Sequence, residues 1–231
     1  MSPNVLLFGA GGALGAAIAS HLLSEGCTLF TAGTSQVIDA AAHVPLAYED
    51  PCDESSFRSL PGLDAVVWAQ GLNHSDTVES FEPLDLQRLL QANLVFIASS
   101  LQALLTAGKL VAGCRLAVVS SIWQLESRPG KFSYSVSKAA LQGLVKSCTL
   151  DLGRRGILIN AVLPGVVDTP MTRTHLSAEQ ITAITAQSAL GRLPEPADVA
   201  SAVAFLVSPA NRAITGQFLA VDAGFIGLKH A

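Results

Sequence analysis

Short apolar runs recur along this chain, and stretches with helical periodicity stand between them. Val5–Phe8, Thr28–Ala32, Val44–Ala47, Ala65–Ala69, Arg115–Ser120, Ile157–Val162 and Phe218–Asp222 read as strands. Runs such as Val5–Phe8, with no polar alternation, belong to strands covered on both faces. Helical patterns lie at Ala16–Ser24, from Asp53 onward, at Glu82–Ala107, at Tyr134–Gly153 and at Glu195–Val207. Such alternation predicts an α/β fold, a doubly wound parallel seven-stranded sheet with helices on both faces. A length of 231 residues is most simply one domain, 1–231, with ample chain for a buried core.

The first junction carries Gly9-Ala-Gly11-Gly12-Ala13-Leu14-Gly15 between a strand and a helix. That context makes a dinucleotide loop credible. Glycines let backbone approach a pyrophosphate, and a helix N-terminus offers it unpaired N–H groups and partial positive charge. A flexible turn of small residues is the plainer alternative. After the second strand, where such folds read the adenosine ribose, stands Gly33-Thr34-Ser35-Gln36, with no acid. Its hydroxyls and N–H groups suit a 2′-phosphate, although no Arg or Lys precedes Arg58.

Tyr134 and Lys138 stand four residues apart at the start of a long helical pattern, hence on one face. An ammonium beside a phenol is expected to lower its pKa, so that Tyr134 can exchange a proton near neutrality. Ser121, ending the preceding strand, could meet the same substrate oxygen. Asn93 lies inside the 82–107 pattern, where Asn is mildly unfavourable; it has either a polar task or simple exposure.

Composition excludes other classes. Half the residues are apolar, net charge is −4 and no basic stripe appears, so nucleic acid is not an expected partner. Cys27, Cys52, Cys114 and Cys148 are scattered without C-x-x-C spacing, which suggests reduced thiols in the cytoplasm; no metal site is expected. Val5–Leu23 could pass for a membrane span or signal. It lacks a basic start and clusters its glycines after a short apolar run, which suits strand, turn and helix better.

Together, Asn93, Ser121, Tyr134-Ser-Val-Ser-Lys138, Asn160-Ala-Val-Leu-Pro164-Gly165…Thr169-Pro-Met171 and the tail from Glu195 to Asp222 resemble the short-chain dehydrogenase/reductase family. The likeness spans essentially the whole chain and includes 3-oxoacyl-carrier-protein reductases, which the Thr34-Ser35 pair also resembles. It implies a single Rossmann-type domain and an enzyme moving hydride between nicotinamide and a carbonyl or secondary alcohol. It further implies a tetrad: Tyr134 as acid and base, Ser121 on the substrate oxygen, Lys138 on the nicotinamide ribose, and Asn93 anchoring a water that links Lys138 to solvent. The Gly9–Gly15 loop would hold pyrophosphate. Thr34 and Ser35 would meet the adenosine ribose. Asp50, with Pro51, would meet adenine, with Gly71 nearby. Pro164, Gly165, Val167 and Thr169 would meet nicotinamide.

The chain departs from the family pattern in three places. Gly9, Gly12 and Gly15 are spaced by three, with Ala13 at the usual middle position, as in dihydropteridine reductases. Trp68-Ala-Gln-Gly71 replaces the expected Asn-Asn-Ala-Gly, so support of the sheet there must differ. Val221-Asp-Ala-Gly replaces Val-Asp-Gly-Gly. NADP(H) is the favoured cofactor, with NAD(H) possible. The alternatives are a pterin-type reductase and a catalytically silent nucleotide sensor. Apolar surface on the 83–107 and 134–153 helices, with the small line Ser135, Ala139, Gly143 and Ser147, leads to the expectation of a homo-oligomer, a tetramer or otherwise a dimer. Thr174–Gly191 is a candidate lid.

Overall fold

The computed structural model describes residues 2–35 and 39–227; Gln36 of the ribose-reading run lies outside them. Seven strands form one parallel sheet: β1 (Asn4–Phe8), β2 (Thr28–Gly33), β3 (Ala42–Pro45), β4 (Leu63–Trp68), β5 (Leu110–Val119), β6 (Leu158–Pro164) and β7 (Phe218–Val221). Their spatial order is β3-β2-β1-β4-β5-β6-β7, so the winding reverses between β1 and β4. Open parallel sheets bind ligands at that reversal, beyond the carboxyl ends of the strands.

The helices are α1 (Ala13–Ser24), α2 (Pro83–Leu90), α3 (Phe96–Thr106), α4 (Phe132–Gly153), α5 (Pro170–His175), α6 (Ala178–Gln187) and α7 (Pro196–Val207). Successive residues of each strand feed opposite faces. Leu6, Phe8, Val66 and Trp68 pack with Phe96, Leu104 and Leu141 on one face. Val5, Leu7, Ala65 and Val67 pack with Ile18, Leu22, Val199 and Val203 on the other.

The structure revises several boundaries. The helix expected from Asp53 is only a 3₁₀ turn, Glu54–Phe57, capped by the Asp53 carboxylate; Pro61-Gly62 leaves no room to extend it. The single helix expected over 83–107 is interrupted by a π-helical turn at Gln91–Val95, with Asn93 fully buried inside it. Α4 begins two residues before Tyr134. The candidate lid resolves into α5 and α6, the second closed by a Ser177–Gln180 capping box.

Support near Trp68 is aromatic. Its ring stacks on Phe8 at 5.7 Å, Phe8 meets Phe57 and Phe96 edge-on, and the indole N–H donates to Ser100 Oγ at 2.9 Å. An aromatic cluster thus fills the space, with its one polar atom satisfied. The run Pro83–Thr106 has the length and apolarity of a membrane span, but half of its most apolar window is buried within this fold.

Candidate active site

Ser121 follows β5 and caps a 3₁₀ turn at Ile122–Gln124, its Oγ accepting from Trp123 N–H at 3.2 Å. Tyr134 stands in the first turn of α4 and Lys138 one turn on. Lys138 is buried, its Nζ lies 5.8 Å from the Tyr134 ring centroid, and it donates to the Val119 carbonyl at 3.4 Å. The helix and the β5 terminus therefore bring Ser121, Tyr134 and Lys138 together.

Protonation differs from the expectation. Burial raises the Tyr134 pKa above the ordinary phenol range, and the Ser121 hydroxyl opposes this only in part. Burial also pushes Lys138 down, to about 8. An ammonium does lie near the ring, but Lys138 is buried and Tyr134 half-buried, and desolvation disfavours the charged form of each.

Asn93 joins this group from the π turn. Its Oδ1 accepts from Leu72 N–H at 2.8 Å, and its Nδ2 donates to the Leu72 carbonyl at 3.0 Å and to Ser137 Oγ at 2.9 Å. Ser137 Oγ donates in turn to the Tyr134 carbonyl at 2.8 Å. The side chain thus braces the β4 loop against α4. With both donors spent on protein, only the second lone pair of Oδ1 is left for a water. Gly71 completes the junction: a Cβ there would lie 3.0 Å from Asn93 Oδ1 and 3.3 Å from Lys138 Nζ.

The sequence reading missed Lys131 and Asp76. Lys131 Nζ donates to Asn73 Oδ1, the His74 carbonyl and Ser75 Oγ at 2.8, 3.1 and 2.9 Å, and lies 5.6 Å from the Tyr134 ring centroid. Asp76 Oδ1 accepts from Ser133 N–H at 2.9 Å, serving the start of α4 from another loop. Neither contact has a sequence signal, because each joins residues more than fifty positions apart.

The glycine loop fits a pyrophosphate. Gly9 has φ 78°, and a Cβ there would fall 2.5 Å from Gln70 N; one on Gly15 would fall 2.1 Å from the Gly9 carbonyl. The β1 end is thereby drawn against both the β4 loop and α1. Gly12 caps α1 without a side chain, so no side-chain cap occupies the N–H groups of the first turn, and Gly11 and Gly12 beside them are exposed. Gln70, whose backbone packs on Gly9, has a buried side-chain amide with no partner among the described residues.

The remaining candidates lie along the same carboxyl edge. Thr34 and Ser35 are exposed, and Ser35 Cβ would be 2.8 Å from a Cβ on Gly11. Asp50 is exposed and accepts from Ala47 N–H at 2.7 Å; Pro51 beside it is exposed. Pro164 ends β6, and Gly165 packs so closely on Asp222 that a Cβ would lie 2.8 Å from the Asp222 Cβ. The Val167 carbonyl accepts from Thr172 Oγ1 at 2.6 Å, and Thr169 Oγ1 caps α5 through Thr172 N–H at 3.2 Å. Among the described residues, no hydrogen bond ties these last residues to Tyr134.

A family model described as enoyl-(acyl carrier protein) reductase matches residues 9–226. The 3-alpha-(or 20-beta)-hydroxysteroid dehydrogenase of Mycobacterium tuberculosis is 31% identical over 202 residues, 85% of this chain and 75% of that protein. The 3-oxoacyl-acyl-carrier-protein reductase FabG of Vibrio cholerae is 30% identical over 233 residues, 95% of each chain. A short-chain dehydrogenase/reductase structure from Serratia marcescens superposes with a TM-score of 0.84 at 26% identity, covering 96% of this chain and 97% of that one.

Proposed function

The chain belongs to the short-chain dehydrogenase/reductase family, and from that premise we propose that it reduces a carbonyl, or oxidises the matching secondary alcohol, with Tyr134 as general acid and base. The observation that carries this reading is the convergence of Ser121, Tyr134 and Lys138 beside Gly71 and the glycine loop.

A dihydronicotinamide held at the glycine loop and by Lys138 would supply the hydride to the carbonyl carbon. Tyr134, kept protonated by burial, delivers its proton to the oxygen. Ser121 donates a hydrogen bond to the same oxygen as negative charge develops. The Lys138 ammonium favours the phenolate left behind and holds the ribose hydroxyls. Asn93, through Leu72 and Ser137, keeps the β4 loop and the Tyr134 turn in register. In the test, Tyr134→Phe keeps NADPH binding but loses turnover by about 10² to 10⁴; retention of a tenth of the activity sinks the reading.

NADP(H) is the cofactor this reading favours, with NAD(H) accepted, because Thr34 and Ser35 are exposed beside Gly11 and no acid stands there. Gly33 has φ 148°, so an acid at that position would strain the backbone; Thr34→Asp is the cleaner probe. It should shift the ratio of kcat/KM for NADPH over NADH downward by tenfold or more, and an unchanged ratio refutes the assignment.

The same reading includes a homo-oligomer, a tetramer or otherwise a dimer, and a cytoplasmic location in keeping with four free thiols.

A further inference from the structure

We infer that the substrate is an uncharged, mostly apolar, compact carbonyl or alcohol, alicyclic in type and free in solution, rather than a keto acid or a thioester carried on a protein. The inference rests on the catalytic reading above. A cavity of about 560 Å³, within the range of small-molecule sites, opens beside the proposed reaction centre. One wall is Trp123, two residues past Ser121, and another is Val166, between Gly165 and Val167. Phe225 closes a third side and meets Trp123 edge-to-face at 6.4 Å. Aromatic walls of this kind favour the faces and edges of rings.

The lid side is mixed. Α6 buries none of its residues, and its Ala183 and Ile184 line the cavity together with Gln180 and Gln187. Apolar surface turned toward a cavity is withdrawn from water only by an apolar occupant. Charge supports the same conclusion. Among the described residues, Glu126 and Arg128 are the only fully charged ones lining the cavity; they have opposite signs and share one loop, so this lining carries no net charge to attract an anion. Arg128 lies 5.8 Å from the Trp123 ring centroid. Arg173 and Arg192, on neighbouring segments, are held by Asp168 and Asp198 at 2.6 and 2.7 Å. Apart from Arg128, which shares its loop with Glu126, a substrate carboxylate or the phosphodiester of a carrier arm finds no cation lining the cavity among the described residues.

The test measures kcat/KM with saturating NADPH for cyclopentanone through cyclooctanone, for a 3-oxo acid, and for a 3-oxoacyl thioester on acyl carrier protein. Each added methylene should raise kcat/KM about three- to fourfold until the cavity is full, and the two anionic substrates should fall at least tenfold below the best ketone. Trp123→Ala should flatten that slope by raising KM for the larger rings. A flat wild-type series, or a preference for the acid or the thioester, overturns the inference. Saturable quenching of Trp123 fluorescence by the ketones gives a readout without turnover, since the other tryptophan, Trp68, is fully buried. Quenching without turnover of any substrate would leave the apolar cavity standing and remove the catalytic reading. No quenching and no turnover would remove the inference itself.

Discussion

At the junction of β1 and α1, Gly9 and Gly15 are required by contact with backbone and Gly12 is not. Gly9 and Gly15 would place a Cβ 2.5 and 2.1 Å from backbone atoms, whereas one on Gly12 meets only the Gly9 carbonyl at 3.7 Å. Gly15→Ala should therefore unfold the junction and abolish NADPH binding, while Gly12→Ala should cost about 1 kcal/mol, the ordinary loss at an N-cap. Calorimetry on both variants checks this. Lys138 makes the second residue-scale prediction. Its pKa falls from 10.5 to about 8 in the fold. Below pH 8 the ammonium is charged in both folded and unfolded states, and the fold bears the whole cost of burying it. As pH rises from 8 to 10.5 the folded state sheds the proton first, so stability is regained; above 10.5 the cost is gone. Lys138→Met should thus stabilise at pH 7 by about 3 kcal/mol, with the gain shrinking toward pH 10 while activity is lost. A gain independent of pH would contradict the assignment. The Tyr134–Lys138 spacing was legible because it is local. Their protonation was not, because it depends on burial.

At the scale of elements, the start of α4 is held from outside. Lys131 gathers Asn73, His74 and Ser75, and Asp76 accepts from Ser133, so the loop after β4 and the turn bearing Tyr134 move as one piece. Asp76→Ala removes a buried cap and should lower stability by about 1–2 kcal/mol. Turnover should fall more than NADPH affinity, since the Tyr134 turn loosens while the glycine loop does not. Matched loss of both, read from kcat and from NADPH titration, would show Asp76 to be structural only. The π turn at Gln91–Val95 carries Asn93 to its partners. The place of Asn93 in an apolar helix left a polar task and simple exposure both open, and its burial against Leu72 and Ser137 decides for the former. The extra residue in the turn could not be read from the sequence, because a π turn is decided by what the neighbouring loop and helix demand.

For the whole molecule, much of the apolar surface expected to pair with a second copy is consumed within the chain: Leu89, Phe96, Ile97, Leu101 and Leu104 are buried in the monomer. What is left outside is scattered: Leu84, Val95, Val136 and Leu150 at 67%, 42%, 40% and 81% exposure, with Ala139, Gly143 and Ser147 exposed beside them. A Cβ at Gly143 meets nothing within 4 Å, so Gly143→Leu should leave the monomer fold intact. It should dissociate an oligomer built through α4, as light scattering at micromolar concentration would read; a wild-type mass of 23.9 kDa refutes the assembly. The sequence alone determined the alternation of strand and helix, the parallel sheet, the glycine junction and the Tyr134–Lys138 pair. These follow from periodicity and from residues close in the chain, where geometry is set by the backbone. The tertiary structure decided the brace of Asn93 on Leu72, the anchors at Lys131 and Asp76, the raised phenol and lowered ammonium pKa values, and the apolar cavity beyond Trp123. Each of these depends on distant segments meeting and on water being excluded where they meet.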